Sequence, residues 1–592
     1  MSPDGRRIAA KASIEGKSVI AVFDLPSDPA RKPLLLGVGD AQFRWAGNER
    51  LLLIRGGAFA ASGITFHAFQ ILSHEIATAK TVELGFAFNP IGDGLLFVDP
   101  AGRYILRAQQ SDLSKPPSVV RIDLADASQV EVQPAVKNVW TWFVDASGLV
   151  RAGAEYGERK TIIHYRRTQA EPLKRIVARN YAGDDSVLDA IRFLDDADTG
   201  FIVTNSRTGR FGVYRYDFLH DKFGETVWEH PEVDAQSVIS GPNGEIDGVT
   251  YVDDRLRVHW IDKQAAQIQR LVDKTLPGKI NLLAGSSSDG NSTLVWSGAA
   301  DDPGTYYVFD RARRRMEVFA SPFEKLAGTA LAPMKAVRYA ARDGLSIPAY
   351  LTLPPGRSPR GLPLVVMPHG GPFSRDTLTF DPMVQLLANR GYAVLQPNFR
   401  GSTGYGREFV ERGYGALGTG MIDDIDAGVD WLAAEGIVDA KRVCIQGASY
   451  GGYAAVWAAM RSPARYRCAI SMAGVSDIRA MLKYDVKYLV AGRYGREWKK
   501  RIAGAEKQDL AAVSPLQQAS RLEVPVLIAH GELDANVPVK HSKDLVAALR
   551  KHGKQVESVF YPKSGHGFDT VEDSRDYMSR VEAFLAKHNP AE

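Results

Sequence analysis

Cysteine is almost absent from this chain, which has only Cys444 and Cys468 among its 592 residues. Disulfide-rich scaffolds and zinc-binding modules need several cysteines at short spacings. Both residues lie in apolar stretches typical of buried strands, where cysteine behaves as a small hydrophobic residue. We therefore expect no disulfide framework, no metal site and no cofactor.

The chain also lacks a strong charge imbalance and long hydrophobic runs. Its formal net charge is +4, and no basic run is long enough to indicate nucleic-acid binding. No stretch reaches the ~18 apolar residues that a membrane helix needs, and no signal peptide opens the chain. These absences favour a cytoplasmic protein without nucleic-acid or membrane partners, or a periplasmic one if the sequence lacks an upstream signal segment. Whether it forms a homo-oligomer stays open.

A short motif with chemical meaning is present at residues 447–452, which read Gly-Ala-Ser-Tyr-Gly-Gly. The motif follows an apolar stretch at 443–445 and precedes a helix-like segment that starts at Tyr453. Glycines on both sides of a serine allow the strained strand-to-helix turn that exposes the hydroxyl above a sheet. Ser449 is the candidate nucleophile of such an elbow.

An acid and a base follow Ser449 in the order typical of α/β-hydrolases. Asp534 lies in the loop after an apolar strand at 525–529, and His566 lies between glycines after a strand at 556–561. Glu532 is the alternative acid, but the Val-Pro pair at 537–538 favours Asp534 at the loop apex. His530 ends its strand and is expected to form local hydrogen bonds, while the other nearby histidines lie in charged, helical stretches: His541, His552 and His588.

Acyl transfer also needs hydrogen-bond donors for the oxyanion. The backbone N–H of Tyr450, the residue after the nucleophile, is one expected donor. The other should come from the loop after an earlier strand, where residues 369–372 read His-Gly-Gly-Pro. Gly370 or Gly371 is expected to supply it, because glycine allows the backbone to approach the substrate closely.

These motifs together resemble the prolyl oligopeptidase family of serine peptidases. The resemblance covers roughly residues 330–590, includes a loop at 396–406, and is nearest to the acylaminoacyl-peptidase-like branch. It implies a triad of Ser449, Asp534 and His566, with Tyr450 and Gly371 as oxyanion donors.

The strand pattern of the C-terminal part independently predicts a mostly parallel sheet covered by helices on both faces. We expect eight strands, the first two forming a hairpin, at 335–341, 346–353, 364–368, 392–397, 442–446, 467–473, 525–529 and 556–561. Most of these runs are continuously apolar, as in buried parallel strands. Residues 326–592 are therefore expected to form an α/β-hydrolase peptidase domain.

Residues 1–325 show short β-type segments and a recurring turn that ends in glycine. The glycines recur every 42 to 55 residues, at Gly5, Gly47, Gly102, Gly148, Gly200, Gly244 and Gly290. A period near 45 residues with about four strands per unit is typical of a β-propeller, and the family resemblance also implies seven blades. A pair of β-sandwiches is the alternative. The first turn lies so near Met1 that the first blade should lack its innermost strand or the sequence should start late.

The resemblance implies hydrolysis of oligopeptides, with the propeller restricting access to small or flexible substrates. A carboxylesterase is one alternative, since the same triad cleaves esters, and a noncatalytic propeller binding protein is another. Dipeptidyl-peptidase relatives anchor the substrate amine with an adjacent Glu-Glu pair, which this sequence lacks. Asn536 nevertheless resembles that branch, so the choice between blocked and free N-termini stays open.

Side chains of a substrate pocket are harder to identify from the sequence. Met472, Met481 and Tyr484 are candidates for an apolar pocket, although core packing explains them equally well. Trp498 precedes a basic run, Lys-Lys-Arg at 499–501, that is typical of a solvated face. We expect Trp498 to have a packing role.

Overall fold

The computed structural model describes every residue except 15–16, 27–30, 39–40, 62–63, 88–92, 111–114, 157–159, 181–189, 195–196, 242–243, 327, 487–491, 505–507 and 592. The chain divides into two compact units. The first comprises Met1–Tyr251, Arg257–Ser297 and Thr305–Ser321, and the second comprises Val252–Leu256, Gly298–Gly304 and Pro322–Glu592.

Within the described residues, the first unit contains seven sheets that follow one another along the chain and form the blades of a β-propeller. The seven-bladed prediction is confirmed. The first four blades are β1 (Arg7–Ile14), β2 (Lys17–Asp24) and β3 (Leu34–Leu36); β4 (Gln42–Ala46), β5 (Arg50–Ala61), β6 (Ile64–Glu75) and β7 (Thr81–Ala87); β8 (Leu95–Val98), β9 (Tyr104–Gln109), β10 (Ser118–Asp123) and β11 (Gln129–Gln133); β12 (Val139–Val144), β13 (Val150–Tyr156), β14 (Lys160–Tyr165) and β15 (Lys174–Asn180).

The last three blades include one in which a helix follows the third strand. They are β16 (Ala190–Phe193), β17 (Thr199–Thr204), β18 (Gly212–Asp217) and β19 (Lys222–Trp228); β20 (Ala235–Ser240), β21 (Ile246–Val252) and β22 (Leu256–Trp260); β23 (Ile280–Ser286), β24 (Ser292–Ala299), β25 (Asp302–Asp310) and β26 (Arg315–Ala320). Helix α1 (Lys263–Thr275) comes between β22 and β23, and the Asp262 side chain caps its N-terminus.

Outside the first blade, the glycine-ended turns lie at the start of the second strand of their blade. Gly47, for example, has φ of +63° between β4 and β5, a left-handed conformation that glycine adopts without a steric penalty. Gly200 instead lies inside β17, where an added Cβ would overlap the Arg192 carbonyl group. In the first blade the turn at Gly5 leads directly into β1, and the described strands of that blade number three.

The second unit is built on an eight-stranded sheet, counted over the described residues, with the order β27-β28-β30-β29-β31-β32-β33-β34. The predicted α/β-hydrolase fold is confirmed. The first three strands in this order pair antiparallel and the rest pair parallel. The strands are β27 (Met334–Ala340), β28 (Ser346–Thr352), β29 (Leu362–Val366), β30 (Ala393–Pro397), β31 (Val438–Ala448), β32 (Cys468–Met472), β33 (Val526–Gly531) and β34 (Val556–Tyr561).

Helices flank this sheet: α2 (Pro382–Asn389), α3 (Arg407–Glu411), α4 (Gly420–Ala434), α5 (Tyr450–Arg461), α6 (Ile478–Tyr484), α7 (Gly492–Ala503), α8 (Lys540–Lys551) and α9 (Val571–His588). Alternate residues of one strand enter different apolar clusters, since Leu364 and Val366 pack in one and Val365 packs in the other. Both faces of the sheet are therefore covered, as the continuously apolar strands require. No helix among the described residues combines the length and the hydrophobicity needed to cross a membrane.

The two cysteines form a disulfide, so the expectation that they indicate no disulfide is wrong. Cys444 in β31 and Cys468 in β32 are register partners on neighbouring parallel strands, with Cα atoms 4.8 Å apart. Both are completely buried. The order and register of the two strands bring the cysteines together across 24 residues of sequence. Local sequence patterns specify neither the strand order nor the register.

Candidate active site

Ser449 lies at a sharp turn between β31 and α5. Its φ is +58° and its ψ is −121°, a conformation that costs a non-glycine residue about 1–3 kcal/mol and is found mainly at functional sites. The backbone N–H of Ser449 donates to the carbonyl oxygen of Met472 at 2.9 Å. This bond ties the turn to the end of β32, and Ser449 lines a cavity of about 370 Å³.

Glycines around Ser449 make the turn sterically feasible. A Cβ on Gly447 would overlap the backbone of Gly451, and a Cβ on Gly451 would overlap the carbonyl oxygen of Pro368. The first turn of α5 can therefore pack against β31 and the end of β29 only with glycine at both positions. This contact explains why the motif places glycines two residues before and two residues after the serine.

Asp534 and His566 are brought together by the loops after β33 and β34. Nδ1 of His566 lies 2.8 Å from Oδ2 of Asp534, and His566 lines the same cavity as Ser449. Among the described residues, Nε2 of His566 has no hydrogen-bond partner. The carboxylate fixes His566 through Nδ1, so Nε2 is available to act as a base.

The Asp534 side chain is fully buried and accepts several hydrogen bonds. Backbone N–H groups of Asn536 and Val537 donate to Oδ1 at 2.8 and 2.9 Å, while His530 and His566 contact Oδ2. Burial disfavours the ionised form, but the hydrogen bonds from His530 and His566 outweigh it and hold the pKa of the Asp534 carboxyl well below its usual range. The group is therefore a stable anion at neutral pH.

His530 is a second histidine partner of Asp534, of which the sequence predicted only that it forms local hydrogen bonds. Its Nε2 lies 3.0 Å from Oδ2 of Asp534 and 2.9 Å from the carbonyl oxygen of Val537, and its Nδ1 lies 2.7 Å from Oγ of Ser542. The bond to Asp534 is local in sequence, as expected. This bond matters because both side chains are buried, and no sequence pattern around His530 indicates that burial.

Glu532, the alternative acid, points to a different partner. Its Oε1 accepts a hydrogen bond from Nζ of Lys543 at 2.6 Å, and both side chains are exposed by about a third or more. Glu532 therefore forms a surface ion pair with α8, whereas Asp534 contacts His566.

Tyr450 and Gly371 both line the cavity beside Ser449. Tyr450 is the first residue of α5, so its backbone N–H is one of those that a helix leaves without an intrahelical acceptor. Gly371 has a φ of +120°, and a Cβ there would crowd the backbone N of Phe373 at 2.8 Å. The conformation of this loop therefore requires glycine at 371.

His369 holds the loop that carries Gly371. Nδ1 lies 2.7 Å from the carbonyl oxygen of Gly370, and Nε2 lies 2.8 Å from Oγ of Ser402. Its ring stacks on Phe399 with 4.3 Å between centroids. Burial lowers the pKa of His369 to about 4, so it is neutral at physiological pH and joins the 369–372 loop to the 398–406 loop.

The predicted pocket residues lie in different environments. Met481 and Asn536 line the cavity. Met472 is not among the lining residues and packs in an apolar core cluster. Tyr484 is not among them either, and its hydroxyl donates to the carbonyl oxygen of Ala535 at 2.6 Å. Met472 is thus hydrogen-bonded to Ser449 through its backbone carbonyl, and Tyr484 is hydrogen-bonded to the residue that follows Asp534.

Several lining residues were not expected from the sequence. Trp498, assigned above to packing, lines the cavity, and so does the buried Asp485. The remaining wall is largely apolar and includes Leu417, Tyr453, Val475, Ile478, Leu482 and Ile502. Among the described residues, no group of three or more His, Cys, Asp or Glu side chains is arranged to hold a metal ion.

Known proteins are similar to this chain over the hydrolase unit, and a solved structure is similar over the whole chain. The model of the prolyl oligopeptidase family matches residues 378–590. Dipeptidyl aminopeptidase BIII of Pseudoxanthomonas mexicana is 32% identical over 375 residues, which cover 61% of this chain and 54% of that protein. The acylamino-acid-releasing enzyme of Rattus norvegicus is 29% identical over 255 residues, covering 43% of this chain and 35% of that enzyme.

This chain spans about half the length, or less, of these two relatives. A solved structure of a Mycobacterium tuberculosis puromycin-hydrolysing peptidase is similar over 100% of this chain and 96% of its own, with a TM-score of 0.72 and 18% identity. At that identity the similarity concerns the fold, and it extends to the propeller as well as the hydrolase unit.

Proposed function

Because the C-terminal domain belongs to the prolyl oligopeptidase family, we propose that this protein is a serine peptidase that hydrolyses short peptides through an acyl-enzyme. The observation that carries the proposal is the pairing of Nδ1 of His566 with Oδ2 of Asp534 at 2.8 Å, beside a cavity that Ser449 also lines. A turn serine without functional importance would not need this buried carboxylate–imidazole pair next to it.

In this mechanism Ser449 is the nucleophile and His566 is the general base. A serine hydroxyl is a weak nucleophile at neutral pH, so Nε2 of His566 takes the proton as Oγ attacks the peptide carbonyl. His566 then donates that proton to the leaving amine. A water molecule, activated by the same nitrogen, hydrolyses the acyl-enzyme and regenerates Ser449.

Asp534 keeps the proton of His566 on Nδ1 and stabilises the imidazolium that forms during each step. The oxyanion of the tetrahedral intermediate is proposed to accept hydrogen bonds from the backbone N–H groups of Tyr450 and Gly371. The α5 N-terminus adds favourable electrostatics, since its partial positive charge faces the developing anion.

The propeller, predicted as residues 1–325, is proposed to restrict access to small or flexible peptides. The support for this role is the family resemblance. Comparing cleavage of short peptides with cleavage of folded proteins tests it, and equal rates would contradict it.

The test of the proposed activity uses Ser449→Ala beside the wild type. A fluorophosphonate should label the wild type and not the variant, and a mixed peptide library should be cleaved only by the wild type. The cleavage sites then distinguish a dipeptidyl-peptidase-like from an acylaminoacyl-peptidase-like enzyme. An enzyme that cleaves an ester but not the matching anilide would be a carboxylesterase, and an unlabelled Ser449 would indicate a noncatalytic binding protein.

A further inference from the structure

The loop that carries His566 runs from the end of β34 to the start of α9, and aspartates hold the two residues directly before the histidine. Oγ of Ser564 donates a hydrogen bond to Oδ2 of Asp573 at 2.7 Å. The backbone N–H of Gly565 donates to Oδ2 of Asp569 at 2.7 Å. The proposed base therefore follows two anchored residues in the chain.

Ser564 is also the point at which this loop meets the loop that carries Asp534. Its carbonyl oxygen accepts a hydrogen bond from the backbone N–H of Leu533, the residue before Asp534, at 3.0 Å. The approach of the two loops is close, because a Cβ on Gly531 would lie 2.3 Å from the same carbonyl oxygen. A displacement of Ser564 would therefore change how the imidazole of His566 meets the carboxylate of Asp534.

The hydroxyl of Ser564 uses both its donor and its acceptor capacity. It donates to Asp573, and it accepts from the backbone N–H of Asp569 at 3.2 Å. Ser564 is completely buried, and a buried polar group that loses its partner costs about 1–3 kcal/mol. The position therefore requires a small hydroxyl side chain with an acceptor opposite it.

Asp573 differs from an ordinary acidic residue in the first turn of a helix. Thr570 is the N-cap of α9, and its Oγ1 accepts a hydrogen bond from the backbone N–H of Asp573 at 3.0 Å. This bond is one half of a capping box, in which the side chain at the third helical position would return to the backbone N–H of the N-cap residue. The Asp573 carboxylate instead binds Ser564, which lies outside the helix.

We propose that Ser564 and Asp573 are positioning residues for His566. Asp573 lies on an 18-residue helix, which is a rigid support, and it fixes Ser564 through the hydroxyl. Ser564 in turn fixes the backbone from which His566 extends toward Asp534. The inference rests on the proposed function, because it concerns the base of that reaction.

Loss of this support should impair chemistry rather than substrate binding. Nε2 of His566 must reach Oγ of Ser449, and a misplacement of about 1 Å can cost on the order of 10²-fold in rate. Among the described residues that line the cavity, neither Ser564 nor Asp573 is present. Substitutions at either position should therefore lower kcat and change KM little.

The test removes the Asp573 carboxylate and then restores an acceptor. Asp573→Ala should reduce kcat for a fluorogenic peptide amide about tenfold or more. Asp573→Asn should recover most of this loss, because its amide oxygen can accept from Oγ of Ser564. The matched control is Glu572→Ala, which removes the same charge from the same helix turn at an exposed side chain and should retain the wild-type kcat.

A double-mutant cycle distinguishes one shared bond from two unrelated structural losses. Ser564→Ala and Asp573→Ala should lower kcat to a similar extent, and the double variant should lose no more than either alone. Additive losses, a rise in KM alone, or equal losses in Asp573→Asn and Asp573→Ala would overturn the positioning role. Thermal unfolding of each variant shows whether it remains folded at the assay temperature.

Fluorophosphonate labelling of Ser449 gives the same comparison without a peptide substrate, because the attack on phosphorus uses the same base. Slower labelling of Asp573→Ala, with recovery in Asp573→Asn, would support the positioning role even if the wild type cleaved no peptide and the peptidase proposal failed. Equal labelling rates for the wild type, Asp573→Ala and Glu572→Ala would contradict the positioning role even if peptides were cleaved. A wild type that is not labelled would contradict both.

Discussion

His530 and His566 contact the same oxygen of one carboxylate: Oδ2 of Asp534 lies 3.0 Å from Nε2 of His530 and 2.8 Å from Nδ1 of His566. His530 is completely buried and its other nitrogen contacts Ser542, so it has little freedom to move. The acid of the proposed triad is thus held by a second imidazole besides that of its catalytic partner. We infer that His530 is a positioning residue for Asp534.

Removing the His530 donor should impair chemistry more than binding. We expect His530→Leu to reduce kcat about tenfold or more with a small change in KM, because displacement of a positioning group can cost on the order of 10²-fold in rate. His530→Gln, which can place an amide N–H near the position of Nε2, should recover much of the loss. Steady-state kinetics on one peptide amide measure both effects.

Circular dichroism and thermal unfolding of both variants provide the control for folding. If kcat falls equally in His530→Leu and His530→Gln while both remain folded, loss of the hydrogen bond to Asp534 is not the cause of the lower kcat. If KM alone rises, His530 acts on substrate binding instead.

The turn at Ser449 should tolerate no side chain at Gly451. An added methyl group would overlap the carbonyl oxygen of Pro368, so Gly451→Ala should destabilise the hydrolase domain by about 1–3 kcal/mol, as overpacking typically does. Fluorophosphonate labelling should slow at the same time because the turn must shift. Gly37→Ala, where an added Cβ meets no atom within 4 Å, is the control and should change neither quantity. A fully stable, fully reactive Gly451→Ala would contradict the packing described here.

The disulfide between Cys444 and Cys468 predicts a specific thiol count. Protein that is denatured without reductant should show no free thiol in a colorimetric titration, and two per chain after reduction. Closing a loop of 24 residues is worth about 3 kcal/mol in the chain-entropy model, so reduction should lower the free energy of unfolding of the hydrolase domain by a comparable amount. Two thiols titrating before reduction would contradict the bond.

Local sequence patterns predicted the elements that carry Ser449, Asp534 and His566, because each follows a strand whose apolar run ends in a glycine-containing loop. The propeller was predictable for a similar reason, since each blade repeats a turn such as that at Gly47. These features depend on short-range geometry that a few adjacent residues specify.

Other features depend on contacts between distant segments, and the sequence did not reveal them. The bond between Cys444 and Cys468 requires the register of two strands. The position of Met472 outside the cavity depends on how β32 packs, and that of Trp498 within it depends on how α7 packs; the residue types alone leave both undecided. The site residues with the least local signal are therefore those that define the substrate pocket.

The substitution Asp485→Asn should stabilise the folded protein at neutral pH. Burial raises the pKa of this carboxyl from 3.8 to about 6, and each unit corresponds to about 1.4 kcal/mol. Below pH 3.8 the carboxyl is neutral in both the folded and the unfolded chain, so it has no effect. Between pH 3.8 and about 6 the unfolded chain loses this proton while the folded state keeps it, so stability falls across this window and is level above it.

Asp485→Asn removes this penalty and retains an acceptor for Nε1 of Trp498. We expect its gain in unfolding free energy over the wild type to reach about 3 kcal/mol above pH 6 and to vanish below about pH 4. Denaturant unfolding of both proteins at pH 8, 6 and 4 measures the difference, and other buried carboxyls with raised pKa, such as Asp376, cancel because both proteins contain them. A gain that is equal at all three pH values would mean that packing, not charge, is responsible. A loss of stability at pH 8 would mean that the carboxylate has a partner that stabilises it.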